Sequence, residues 1–275
     1  MSSRAGPILW GLERLAWKII LQIAAAALVS GVACSVAGFF LANLRLPFLG
    51  VTMSHAAMAG AVFGRLFGLP VFPPAFVTSI AASFAIGPLA DRARLDANVA
   101  MAIIFSLTMG LAFLGIGITE GPKTEMLGLI WGSVLLIQSG DLVLLLISGI
   151  LLIGFAVLFE SKIKAVLFSR TISAASGVPE RFITYTLLIL SGAVITASLE
   201  TVGGLLLFAL LVNPVAAASR VFTSYRWNII GSALLGAVSA LGGLSLSWFL
   251  DLPAGASIVL VSGLVFVISW GVGRK

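Results

Sequence analysis

The chain has 275 residues, 60% of them hydrophobic and only 9% charged, with a net charge of +6 and a mean hydropathy of +1.18. Soluble domains carry about 25% charged residues, so this inventory cannot clothe a water-facing surface, and the chain is an integral membrane protein. Its excess positive charge sits at loop ends and forms no continuous stripe, which excludes nucleic acid as the partner that explains it.

From the N-terminus, a basic leader (Arg4, Arg14, Lys18) precedes an apolar run to about residue 42. That run is too long for a signal peptide and no polar mature segment follows it, so it reads as a membrane span. Cys34 is the only cysteine, which excludes an intrachain disulfide and any CxxC metal site. It follows Gly31-Val32-Ala33, a faint likeness to a lipidation site, but the apolar run continues past it.

A requirement of about 20 apolar residues per crossing predicts nine spans. They fall at 18–42, 53–69, 72–90, 97–118, 142–159, 183–199, 202–218, 228–250 and 254–272. An eight-span version serves if the first is absent or interfacial. The apolar stretch 125–138 is too short and reads as a re-entrant or interfacial segment. The fold expected is thus all-α: one polytopic helical bundle over residues 1–275, with no soluble domain.

In the second span, Ala56, Gly60, Gly64 and Gly68 recur every four residues, a small-residue ridge that admits another backbone, either within the bundle or across a dimer seam. His55, the only histidine, opens that span. An ionisable residue at membrane depth marks a pathway, and neutral imidazole is a common transition-metal ligand; the alternative is a ring bonded to a backbone carbonyl at a helix crossing.

The segment 162–181 is a polar island holding four of the sixteen basic residues. A short helix is predicted at 171–176, with Gly177 suited to its left-handed cap and Pro179 preventing continuation. Placing this loop inside also puts Arg45, Arg92, Arg94, Arg220, Arg226, Arg274 and Lys275 inside, as the positive-inside rule asks. The N-terminus is then outside, and its own basic residues oppose the rule. Glu200 falls between two apolar runs and is expected to cap the helix that follows, where the dipole favours a carboxylate. Asp251 lies in a tight turn, which it either stabilises or offers as the rim of a cation entrance.

Hydrolytic chemistry is poorly served. A serine paired with His55 is conceivable, but no Gly-x-Ser-x-Gly occurs and one histidine cannot make HExxH. There is no P-loop, so any ATP-driven activity needs a second polypeptide.

Several segments in order carry a resemblance. They are the runs from Leu206 through Asn213-Pro214 and from Trp248 through Asp251-Leu252-Pro253 to Gly255, Ser176-Gly177-Val178-Pro179, and Trp131-Gly132-Ser133 followed by Ser139-Gly140-Asp141. Together with Gly50 to Ala56, they make the chain resemble the permease subunits of ATP-binding-cassette importers for zinc, manganese and iron, whose bundle is of the cobalamin-importer (type II) kind. The resemblance implies a homodimer carrying two cytoplasmic ATPase subunits in a prokaryotic cell (inner) membrane. It implies a coupling helix at 171–181 with Ser173, Ala175, Gly177, Val178 and Pro179 at the ATPase, and an extracytoplasmic solute-binding protein delivering substrate near Asp251 and Glu200. ATP would be bound by the partner and no cofactor by this chain; the substrate would be a divalent metal passing His55. One departure stands out: Val51 occupies the position of the family's carboxylate, four residues before His55 and on the same helical face. That leaves a metal chelate or a non-metal solute as alternative cargo, and an ion-gradient-driven transporter as the alternative mechanism.

Overall fold

The structure is a computed structural model and describes residues 5–119, 139–204 and 207–273. Among these residues every regular element is a helix: α1 (Ala5–Asn43), α2 (Leu49–Leu66), α3 (Phe72–Ala93), α4 (Ala97–Ile118), α5 (Ser139–Leu158), α6 (Glu160–Phe168), α7 (Arg170–Ala175), α8 (Glu180–Val202), α9 (Leu207–Val221), α10 (Tyr225–Leu250) and α11 (Ala254–Val272). Each of the nine predicted spans falls largely on one of these helices, although the span predicted at 202–218 begins in the break before α9 and the one at 53–69 runs into the turn after α2. The expected short segment 125–138 lies outside the described residues.

Helix α1 is much longer than predicted. Its 39 residues reach about 58 Å against a hydrocarbon thickness of about 30 Å. Its Lys18–Asn43 portion has the length and composition of a crossing, which retains the first span that the basic leader had put in question.

Among the described residues seven helices are long and apolar enough to cross a membrane; α2 and α9 are not among them. The physical reason differs. Helix α2 is diluted by Thr52, Ser54, His55 and Arg65, and it needs no lipid-compatible surface because fifteen of its eighteen residues are buried. It is enclosed by α3, α4, α8 and α9. Helix α9 has 15 residues and interior Pro214, and Asn213 Nδ2 ties it to Ser262 Oγ of α11 at 3.0 Å. Lipid-facing Leu107, Phe113, Leu151 and Leu260 remain exposed on the outer helices, as expected where the solvent is hydrocarbon.

Close packing relies on missing side chains. A Cβ at Gly60 would overlap Thr78 Oγ1 and lie 2.5 Å from the Pro74 carbonyl oxygen of α3. Thr78 Oγ1 in turn donates to the Ala56 carbonyl at 2.8 Å. The small-residue ridge of α2 therefore packs inside the protomer, against α3. Gly68 lies beyond the helix, in the following turn, with φ +70° and open space around it.

The order of the helices sorts charge to one end of the bundle. Arg45, Arg92, Arg94, Arg220, Arg226 and the whole of α6–α7 share it, while the α2–α3 and α10–α11 turns occupy the other.

Candidate functional site

His55 is held in the most protein-enclosed part of the bundle, with 4% of its surface exposed. The helical rise places its ring one turn from Val51, and Nδ1 lies 2.9 Å from the Val51 carbonyl oxygen. A carbonyl only accepts, so Nδ1 carries the proton and Nε2 keeps its lone pair. The ring meets Phe105 of α4 edge-on, with centroids 4.7 Å apart. The carbonyl-bonded arrangement foreseen as the bland alternative is therefore present. An orienting bond of this kind is also what fixes a metal-binding imidazole, with Nε2 as the ligand atom.

Neighbouring Ser54 adds an irregular wall. Its Oγ lies 2.9 Å from the Val51 carbonyl and 3.3 Å from the carbonyl of Gly204. Gly203 and Gly204 are buried in the break between α8 and α9. Non-helical backbone at membrane depth is tolerated only where protein or a cavity surrounds it. Within this break the Gly203 carbonyl accepts from the Leu207 amide at 3.0 Å and the Gly204 carbonyl from Ser54.

Glu200 belongs to the last turn of α8, just before this break, and not to the first turn of the next helix. The expected N-terminal cap is corrected: at a C-terminal end the dipole opposes a carboxylate. Asp251 is also at a helix C-terminus, capping α10 in the left-handed region at φ 50°, which aspartate tolerates. Its turn is closed by Ser247 Oγ donating to the Leu252 carbonyl at 2.5 Å. Asp251 lines a cleft of about 770 Å³ with Ile20 and Ile23 of α1 and Trp248 of α10. His55 does not line that cleft. Among the described residues no three His, Cys, Asp or Glu side chains gather as a metal-holding group.

The basic end presents a second kind of site. Helix α7 is capped at its start by Ser169, whose Oγ accepts from the Ile172 amide at 3.3 Å. It ends as predicted: Gly177 takes φ +78° and donates to the Ala174 carbonyl at 3.1 Å, and the Val178 amide returns to the Ser173 carbonyl at 3.0 Å. The surface around it is apolar as well as basic: Ile172 of α7 is 58% and Phe168 of α6 82% exposed, with Arg170 of α7 and Arg181 of α8 exposed beside them. Ala175, Gly177 and Pro179 are exposed with them. Ser173 faces inward at 2% exposure, and Val178 packs against the core.

Residues 16–273 match the ABC 3 transport family. The chain belongs to that family. The ABC 3 chain is 28% identical over 258 residues to the "Manganese transport system membrane protein MntC" of Halalkalibacterium halodurans, covering 94% of this chain and 88% of that one. It is 30% identical over 240 residues to the protein of the same name from Listeria innocua, covering 87% and 85%. To the "High-affinity zinc uptake system membrane protein ZnuB" of Haemophilus influenzae it is 25% identical over 248 residues, covering 88% and 95%. Among solved structures, PsaBC from Streptococcus pneumoniae in complex with Fab aligns with a TM-score of 0.86 at 25% identity, covering 94% of this chain and 92% of that one. A membrane-embedded ABC transporter permease built as an all-helical bundle is what these relatives and the fold share.

Two clusters in the ABC 3 chain escaped sequence reading. Cys34 Sγ donates to Ser198 Oγ at 3.2 Å, joining α1 to α8. Glu160, at the start of α6, takes a two-pronged bond from Arg226 of α10, with Nε at 2.7 Å and Nη2 at 3.0 Å. Lys164 completes it at 2.5 Å and stands over the Tyr225 ring. Only the Glu160–Lys164 spacing of four residues was available to find the second cluster.

Proposed function

We propose that this ABC 3 permease conducts a divalent transition metal inward across a prokaryotic cell (inner) membrane, driven by ATP hydrolysis on a separate partner. The observation that carries the reading is the α7 segment: a compact, doubly capped helix exposing Arg170 and Ile172, flanked by exposed Phe168 of α6 and Arg181 of α8, at the basic end of an otherwise lipid-adapted chain. A basic end faces the cytoplasm by the positive-inside rule. An exposed apolar patch there needs a protein partner, and the absence of a P-loop in the chain means that the partner supplies the nucleotide chemistry. Two ATPase subunits would seat the 171–181 segment through Ala175, Gly177 and Pro179, while Ser173 and Val178 hold it from behind.

The relatives' names speak of manganese and zinc, and His55 supplies a donor of the right chemistry for either. One imidazole is far below the four ligands of a tight site, so His55 acts as a transit ligand that must release what it holds. A second copy of the chain would contribute a second imidazole to a homodimeric path. On the outer side, a solute-binding protein would deliver metal near the Asp251 cleft. The carboxylates of Asp251 and Glu200, both at carbonyl-rich helix ends, make those ends attractive to a cation.

Val51 favours one alternative cargo. Its side chain replaces a metal-binding carboxylate and leaves only its backbone carbonyl facing His55, so a chelated metal or a non-metal solute is the second reading.

The test is reconstitution of the permease with its ATPase and a binding protein loaded with Mn²⁺ or Zn²⁺. The reading expects radiolabelled metal to enter only when ATP is hydrolysed. Entry driven by an ion gradient alone would overturn it.

A further inference from the structure

Helix α10 touches both ends of the molecule. At its first turn Arg226 grips Glu160 with both prongs of the guanidinium, and Lys164 bridges Glu160 and the ring of Tyr225 at 5.0 Å. At its last turn Trp248, Phe249 and Asp251 line the outer cleft. Its 26 residues span about 39 Å with no interior proline. Nothing along it is built to bend at a proline.

Between these ends the helix has one tight crossing with α1. A Cβ on Gly31 would lie 2.5 Å from the Gly236 carbonyl oxygen and 2.7 Å from the Ala240 Cβ, and a Cβ on Gly236 would overlap Ser35 Oγ and the Gly31 carbonyl. The two backbones are in contact there. Gly236 is eleven residues from Tyr225 and fourteen from Leu250, near the middle of α10. Nearer the outer end a Cβ on Gly243 would overlap the Ile258 Cα of α11, so α10 and α11 share a backbone contact there and a turn of α10 about the α1 crossing carries α11 with it.

The grip at the lower end joins α10 to the α6–α7 unit. Glu160 is the first residue of α6, whose Ile163 and Val166 are buried in the core. Ser169 closes α6 and caps α7, so the two short helices share one residue as their joint. A push on α7 reaches α6 directly, and from α6 the Glu160–Arg226 pair and Lys164 over the Tyr225 ring lead to α10.

We propose that Glu160 is a positioning residue for coupling: through Arg226 it passes displacement of the α6–α7 unit to α10, which pivots at the Gly31–Gly236 crossing and moves the outer cleft at Asp251. This rests on the reading above, that α7 engages an ATPase. An exposed ion pair contributes little to stability. Breaking it therefore leaves the fold intact and removes a mechanical link.

The test uses the full complex of permease, ATPase and Mn²⁺-loaded binding protein in proteoliposomes. Glu160→Gln and Arg226→Glu should assemble with the ATPase and hydrolyse ATP at the basal rate. Their Mn²⁺ uptake per ATP should fall by about fivefold or more, the lower range of a site-to-site coupling. The charge exchange Glu160→Arg with Arg226→Glu should recover most of that ratio, which a purely structural role would not require. Spin labels at Val143→Cys and Phe249→Cys, both exposed near the outer end, should change separation on ATP addition, and Glu160→Gln should abolish the change. An unaltered uptake-to-ATP ratio in the single variants overturns the proposal while leaving the ATPase reading standing. Failure of the unmodified permease to bind the ATPase overturns both.

Discussion

The helix that holds His55 and the segment that ends at Pro179 are opposite solutions to working in a membrane. Helix α2 is short and polar for a crossing, and the bundle hides it: almost all of it is buried, its ridge locks onto α3, and its histidine is bonded to its own backbone. The α6–α7 unit is exposed and charged, and it is shaped by caps at both ends. The contrast teaches that a polar group in such a chain is tolerated for one of two reasons. Either protein surrounds it and satisfies it, or it stands outside the lipid and is offered to something else.

The comparison breaks most visibly at the exposed segment. Gly177→Pro cannot adopt φ +78°, and Ala175→Glu places a charge on the exposed flank of α7. Each should cut metal uptake by about tenfold or more while membrane insertion persists. Normal uptake in Ala175→Glu, measured in proteoliposomes, would detach α7 from coupling.

At the buried region the leading change is His55→Ala. It removes the only imidazole and should lower metal-stimulated transport by about tenfold. Unchanged kinetics would return His55 to a purely packing role against Phe105. Gly60→Val should destabilise the α2–α3 pairing by about 1–3 kcal/mol, because the new side chain meets Thr78 and the Pro74 carbonyl. Thermal unfolding in detergent would reveal it, and no shift would mean that the two helices are free to part. Val51→Asp should strengthen metal retention several-fold, with both ligands on one face of α2. Indifference, followed by metal binding to the purified permease, would point to a cargo that is not a bare cation.

The smallest effect concerns the Glu160 pair. Arg226 first, and then Lys164, hold the Glu160 carboxyl down at about 2, against an ordinary value of 4.5. A carboxyl lowered in the folded state stabilises above its unfolded value and loses that contribution as pH falls from 4.5 through about 2. Melting of the unaltered protein and of Glu160→Gln should therefore differ slightly at neutral pH and converge in strong acid. A difference that persists below pH 2 would mean that the pair is not what separates them.

Sequence reading reached the helical spans because a crossing demands a long apolar run, and that demand leaves few alternatives. It reached the Gly177 cap because a left-handed turn before proline is local chemistry. It misplaced Glu200 because apolarity is continuous across the α8–α9 break, and only the backbone reveals which helix the residue ends. It did not see the Glu160–Arg226 grip, since the partners lie 66 residues apart and nothing local links them. Nor could it tell whether the Gly60 ridge met a neighbour in the same chain or in another copy. That depended on Thr78 and Pro74 of α3 presenting the surface that fits.

The central claim is that transport through this bundle is driven from its basic end by a nucleotide-hydrolysing companion. The most direct measurement is radiolabelled metal uptake into proteoliposomes holding the permease with either an active ATPase or one unable to hydrolyse ATP. The account predicts accumulation with the first and none with the second. Equal accumulation in both would contradict it.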